Sequence, residues 1–135
     1  MEMRYLFRVK RLDNGDWVQG YLIYAKKDCY VCENPYECMS EYSSLNGQSY
    51  GFGGFKLVDT STICQCTGLK DKNGKLIFEN DIVTDNVIYG VVKWDDVNAR
   101  YFIDDREDGY QDYYEWWHEV KVVGNKFDNP ELLEV

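Results

Sequence analysis

Five cysteines and one histidine are the side chains of this 135-residue chain best suited to metal binding, nucleophilic attack or acid–base work near neutral pH. Cys29 and Cys32 form a C-x-x-C with Cys38 beyond it, and Cys64 and Cys66 form a C-x-C. Four thiolates from the two pairs match the ligand count of a tetrahedral zinc site. The context argues against it. Cys29 and Cys32 lie in a strand-like run, where residues three apart point to opposite faces, and Tyr30-Val31 stand where a zinc-knuckle turn carries Gly or Lys. The cysteines are therefore read as small core hydrophobes, and no metal or cofactor is expected. A thioredoxin-like redox role would require a helix after the pair, and the pattern offers none.

His118 lies in "YYEWWHEVKVV". Read as a strand, that run puts Tyr114, Trp116, His118, Val120 and Val122 on its more apolar face. A packed, hydrogen-bonded histidine is expected there, because no nucleophile can be paired with it by spacing. The adjacent Trp116-Trp117 would then face opposite ways, leaving one ring outward. "DDREDGYQDYYE" places Asp104, Asp108, Gly109 and Glu115 at positions one, five, six and twelve of a calcium-loop template. Arg106 occupies position three, where an oxygen is needed, and strands flank the loop, so it is read as a solvated hairpin loop. Gly51, Gly53 and Gly54 of "YGFGGF" lack both the dinucleotide spacing and a strand-to-helix context, and are read as a turn.

The net charge of −9 is unevenly spread. From Glu79 to Glu119 there are twelve acids against three bases, which accounts for the whole excess. Such a segment repels a phosphate backbone and favours a basic partner. An apolar content of 44% and only two prolines are those of a folded chain rather than a disordered one. No apolar run approaches the roughly 20 residues that span a bilayer, and the N-terminus shows no h-region, so a cytoplasmic protein without membrane association is expected.

The elements that would position these residues are mostly short strands. "MRYLFRVKR" and "WVQGYLIYA" flank "LDNGD", whose Asn14-Gly15 predicts a tight turn, and "CYVCE" reads as a third strand pairing back on the second. Residues 34–54 lose all periodicity; Asn34, Pro35 and Glu37 would start a short helix, followed by a long loop. Strands resume with "FKLVD", "KLIF", "DIVT", "IYGVVKWD", "RYFIDD" and "YYEWWHEVKVVG". The tail "FDNPELLEV" predicts a final turn with Asn129 as cap and Pro130 at the first helical position. The fold class expected is all-β, a small sandwich or partly open barrel with one or two short helical turns. A single domain over 1–135 is expected, with an N-terminal hairpin region and loop over 1–60 and a barrel portion over 61–135.

"QCTGLKDKNGKLIFENDIVT" resembles the hallmark of the YopX family of small bacteriophage and prophage proteins. Gln65, Thr67, Gly68, Leu69, Asp71, Gly74, Ile77, Asp81, Ile82 and Val83 fall in place. "FRVKRLDNGDWVQGYL" and "VKVVGNKFDNPELL" are similar to the family's opening strand pair and closing segment. Two positions depart from the pattern: Cys66 stands where Tyr usually follows the Gln, and Asn80 where Gly commonly precedes the Asp. The resemblance implies an all-β fold with an SH3-like C-terminal half and a phage or prophage origin, and it implies no established activity. Read from the residues, Lys72-Asn73-Gly74 should turn with positive φ, Asp71 should accept backbone N–H groups, Thr67-Gly68 should turn the chain, and Leu69, Ile77, Ile82 and Val83 should be buried anchors.

The function expected from these features is non-enzymatic binding of a basic protein partner by an acidic, aromatic surface of Asp104, Asp105, Glu107, Asp108, Tyr113 and Trp117. One alternative is single-stranded nucleic acid on the basic residues Arg4, Arg8, Lys10, Arg11, Lys26 and Lys27 with aromatic stacking. Another is a hydrolase-type enzyme, which would need Asp71, Asp81 and His118 to converge. Exposed strand edges would also suit a homo-oligomer.

Overall fold

The computed structural model describes residues 5–25, 27–33, 55–105 and 114–134. The chain forms two compact units, one of Tyr5–Ile63 and one built on Cys64–Val135.

The first unit is an antiparallel meander of β1 (Phe7–Lys10), β2 (Trp17–Ala25), β3 (Asp28–Cys32) and β4 (Phe55–Leu57). Each strand pairs with the next, short polar segments joining β1 to β2 and β2 to β3, while residues 33–54 lie between β3 and β4. The β1–β2 turn is the expected one, with Gly15 at φ 73° and the Asn14 side chain accepting the Asp16 N–H at 2.9 Å. Val9, Cys29, Val31 and Val58 form its core, with Val18, Leu22 and Ile63 packed against them. The register puts Arg8, Lys10, Trp17, Tyr21, Ile23 and Tyr30 on the other face. The expected helix and loop of residues 34–54 lie outside the described residues.

The second unit begins with β5 (Cys64–Lys70) and β6 (Leu76–Phe78), a hairpin whose register slips between Cys66 and Lys70. It continues with β7 (Asp81–Thr84), β8 (Tyr89–Asp95), β9 (Arg100–Asp104), a helix α1 (Tyr114–Glu119) and β10 (Lys121–Asn125). These strands make a four-stranded sheet in the order β10-β7-β8-β9. Its antiparallel ladder is open, so the chain is all-β with no closed barrel among the described residues. Ile77, Val83, Val92, Ile103, Trp116, Trp117 and Val120 are the buried core of this unit. Each apolar side chain of that kind contributes roughly 1.5–3 kcal/mol by leaving water. All four residues of β7 are buried, which makes it the centre of the unit. Gly90 lets β8 lie close to β9, since a Cβ there would sit 2.5 Å from Ile103 Cγ2.

The structure departs from the sequence reading at three points. Residues Tyr114–Glu119 are helical rather than extended. Helical geometry places Trp116, Trp117 and Val120 together, and all three are buried, with the two indoles only 8% and 7% exposed. An extended chain would have turned one of the two rings outward, and the core contact of both outweighs the strand propensity of the aromatics. His118 consequently falls on the exposed side of α1 instead of an apolar strand face. Leu69 is 37% exposed, because the slip in β5 takes it away from the core that Ile77, Ile82 and Val83 occupy. The tail does turn at Pro130–Leu133, but Asn129 makes no side-chain cap; its Oδ1 instead accepts the Asn125 N–H at 3.2 Å.

Asn80, standing where the family resemblance places Gly, adopts φ 73°. Asn tolerates this left-handed conformation better than other residues with a Cβ, which explains why both Gly and Asn suit the position. Asn80→Ala should destabilise the protein by roughly 1–2 kcal/mol in urea unfolding, whereas Asn80→Gly should stay within a few tenths. Equal effects of the two substitutions would show that backbone strain is not what selects this residue.

Candidate functional site

The family-motif acids are held by backbone donors. Asp71 Oδ1 accepts the N–H groups of Asn73 at 2.8 Å and Lys75 at 2.9 Å, and Oδ2 accepts that of Val122 at 2.9 Å. Gly74, at φ 82°, closes the turn between them. Burial pushes the Asp71 carboxyl up, but the donors of Val122, Lys75 and Asn73, with the Lys75 charge, outweigh burial and hold it below the ordinary carboxylate value. Asp81, wholly buried, accepts the Phe78 N–H at 2.8 Å. Asp85 Oδ1 accepts from Val87 and Ile88 at 2.9 and 2.8 Å, while Oδ2 accepts the Trp116 indole N–H at 3.0 Å. Burial again works against these donors, and the donors win, so the Asp85 carboxyl is also lowered. Asp71 and Asp81 thus perform structural tasks, and His118 lies on the surface of α1, so the arrangement offers no reason to assign them to acid–base catalysis.

Gln65, the first residue of the motif, does something the sequence did not disclose. Its Oε1 accepts the Tyr101 O–H at 3.1 Å across 36 positions of chain, while its backbone N–H faces Glu79 Oε1 at 3.5 Å. The Glu79 N–H returns a bond to the Gln65 carbonyl at 2.9 Å. Tyr101 is paired directly with Trp94 across the β8–β9 ladder, and their rings meet edge to face with centroids 4.9 Å apart. Trp94 is 46% exposed, and Tyr101 is half-buried. Burial is the main reason that the Tyr101 phenol is pushed up to about 12, with the charges of Glu79 and Cys66 adding to it. Burial likewise raises the Cys66 thiol. Trp94, Tyr101 and Glu79 were not among the residues singled out from the sequence. The β8–β9 register, with Asp95 opposite Arg100, sets Trp94 opposite Tyr101, and no local signal in the sequence fixes that register.

The acidic surface is only partly within the described residues. Asp104 pairs with Lys93 at 2.6 Å, and Asp95 lies 4.0 Å from Arg100, so both described bases of the acidic segment face carboxylates. Asp105 is buried at 4% exposure, and Trp117 belongs to the core, so neither offers a broad exposed face. Glu107, Asp108 and Tyr113 lie outside the described residues, as do Gly109 and most of the calcium-like loop. Thr67 donates its hydroxyl to the Ile77 carbonyl at 2.8 Å, Gly68 takes φ 84°, and Val83 is fully buried, all local architecture. Cys29, Cys32, Cys64 and Cys66 are buried free thiols, and no cluster of three or more metal-ligating side chains occurs among the described residues. In the basic N-terminal set, Arg8 and Lys10 both lie over the Trp17 ring, 5.0 and 5.2 Å from its centroid, and Arg11 pairs with Asp13. Arg4 and Lys26 lie outside the described residues. No helix among the described residues is long and apolar enough to cross a membrane.

The chain is all-β, its motif acids Asp71 and Asp81 accept backbone N–H groups, and Trp94 and Tyr101 form a partly exposed aromatic pair. A family model described as YopX protein matches residues 6–134, and the chain belongs to the YopX family. No curated protein matches it.

Two outcomes test this geometry. Asp71→Asn should cost about 2–4 kcal/mol near neutral pH, because hydrogen bonds to a charged acceptor are among the stronger ones and three part-buried donors lose it. The wild-type contribution is whole above the ordinary carboxylate pKa and is lost as pH falls through the lowered folded value, so the variant's acid limb should be flatter. An unchanged limb in acid unfolding would exclude Asp71 as its source. For Tyr101 the sign is reversed: its folded pKa lies above the unfolded value, so its contribution is whole below the ordinary phenol range and fades as pH rises through about 12. NMR titration of the ring should show Glu79→Gln moving that pKa down while leaving it above the ordinary value, since burial remains.

Proposed function

We propose that this protein is a non-enzymatic interaction module that binds a basic protein segment through the acidic, aromatic surface of its Cys64–Val135 unit. The observation that carries this reading is the concentration of the whole charge excess between Glu79 and Glu119, where both described bases, Lys93 and Arg100, already face carboxylates. Their charge is locally compensated, and the field of the remaining acids is negative. Such a field raises the encounter rate with a cationic partner and turns away polyanions. Glu107 and Asp108 contribute to that field, while Asp104 neutralises Lys93 and so leaves their charge unopposed by it, with Tyr113 beside them in the sequence. Trp94 takes the place of Trp117 as the aromatic anchor, because Trp117 is inside the core. In this reading the protein works in the cytoplasm of a cell carrying a phage or prophage, and its second, SH3-like half presents the surface.

The test uses a twelve-residue peptide of alternating lysine and glycine as probe, titrated calorimetrically into the full chain at low and moderate salt. Binding should weaken steeply with salt, and the triple variant Asp104→Asn, Glu107→Gln, Asp108→Asn should lose affinity and part of the salt slope. Equal binding by wild type and triple variant, or no binding at about 20 mM salt, where the Debye length is roughly 20 Å, would overturn the reading. A labelled single-stranded oligonucleotide binding more tightly than the peptide would favour the nucleic-acid alternative through Arg8, Lys10 and Trp17 instead.

A further inference from the structure

We propose that Trp94, Tyr101 and Glu79 form a recognition corner for one cationic side chain, a lysine or arginine of the basic segment. This rests on the reading above and names the group that the partner must present. Two aromatic rings set edge to face at 65° offer a face and a neighbouring edge in different planes, so an ammonium or guanidinium group can lie against the exposed part of Trp94 while its stem packs beside Tyr101. Trp94 is exposed enough for such contact at 46%, yet it is held by its cross-strand partner rather than swinging freely.

The corner is built rather than incidental. Tyr101 is fixed by its hydroxyl bond to Gln65 Oε1, and the same Gln65 carries Glu79 on its backbone N–H, so one residue places both the ring and the carboxylate. A carboxylate beside an aromatic face supplies the full charge that the ring quadrupole lacks. The two described bases of the segment do not fill the position. Lys93 and Arg100 pair in the ladder with Phe102 and Asp95, on the face opposite Trp94 and Tyr101. Among the described residues, the cations over rings are Arg8 and Lys10 on Trp17 and Lys126 on Phe127. A cation from outside therefore matches the site in charge and in shape. Gln65 acts as a positioning residue in this arrangement, which gives the leading residue of the family motif a task beyond the turn.

The lysine–glycine peptide is again the probe, with the Trp94 indole resonance of the full chain followed by NMR and the affinity by calorimetry. Its indole signal should move on titration, and Trp94→Ala should weaken binding about threefold to tenfold, as loss of a partly exposed cation–aromatic contact does. Trp94→Phe should recover most of the loss, Glu79→Gln should weaken binding similarly, and Gln65→Ala should lower affinity while also moving the Tyr101 pKa down. A Trp94→Ala variant that is folded and binds like wild type, while the triple acidic variant does not, would overturn the corner and leave the broader acidic-surface reading intact. Absence of peptide binding by every protein, wild type included, would overturn both. Because Trp94 is half-exposed and outside the core set, circular dichroism should find both Trp94 variants folded; if neither folds, the Glu79→Gln result decides.

Discussion

The Asp71 carboxylate is the interaction on which the Cys64–Val135 unit depends. It sits in a turn of five residues and bonds two donors of that turn, then reaches Val122 in β10, which is 51 residues further along the chain. Lys72 N–H reinforces the link by bonding the Val120 carbonyl at 3.0 Å. A hairpin near the start of the segment is thereby clamped to its last strand in the chain, and β10 in turn completes the sheet by pairing with β7. The closure of so long a loop carries a substantial entropic cost, and a charge-assisted bond at the point of closure helps to offset it.

The rest of the motif follows from that clamp. Once the β5–β6 hairpin is fixed, Asn80 turns the chain in a left-handed conformation, and Asp81 reaches back to the Phe78 N–H so that β7 enters the core with its backbone satisfied. The Asn80 N–H bonds the Val92 carbonyl at 2.8 Å, and its own carbonyl accepts from Lys126 at 3.0 Å, so the turn is anchored on both sides. The motif is therefore a set of instructions for turning and entering strands. Asp71 and Asp81 are consumed in doing so, and Ile77, Phe78, Ile82 and Val83 are buried.

Turns and strands were legible from the sequence because their causes are local. Asn14-Gly15, the Lys72-Asn73-Gly74 turn, and the alternating runs that became β1 to β3 and β6 to β9 each carry their signal within a few residues. The helix at Tyr114–Glu119 was not legible, since aromatic residues with strand propensity give no helical period in six positions, and only the core decides that both indoles turn inward. Leu69 was misplaced for a related reason: a bulge reverses the alternation on which inside and outside are judged. The candidate site was the least legible part. Gln65 and Tyr101 are brought together only by tertiary structure, and a cross-strand pair such as Trp94 and Tyr101 depends on a register that the four-residue turn between Asp95 and Arg100 leaves open.

The division of labour among the acids bears on how such a protein could bind anything. A carboxylate that accepts two or three N–H groups keeps its negative charge, but it is fixed to the fold and cannot turn to pair with a partner's cation. Asp71 and Asp85 are of this kind, and Asp81, wholly buried on the Phe78 N–H, is likewise held away from a partner. Glu79 differs, since it is half-buried, accepts only a long bond from Gln65 among the described residues, and stands near Tyr101, whose ring partner Trp94 is 46% exposed. Charge of that sort acts at short range and through low-dielectric surroundings, where it discriminates between partners more than it attracts them. Attraction by the solvated acids and selection by one placed carboxylate are thus separable properties, carried by different residues of the same acidic segment.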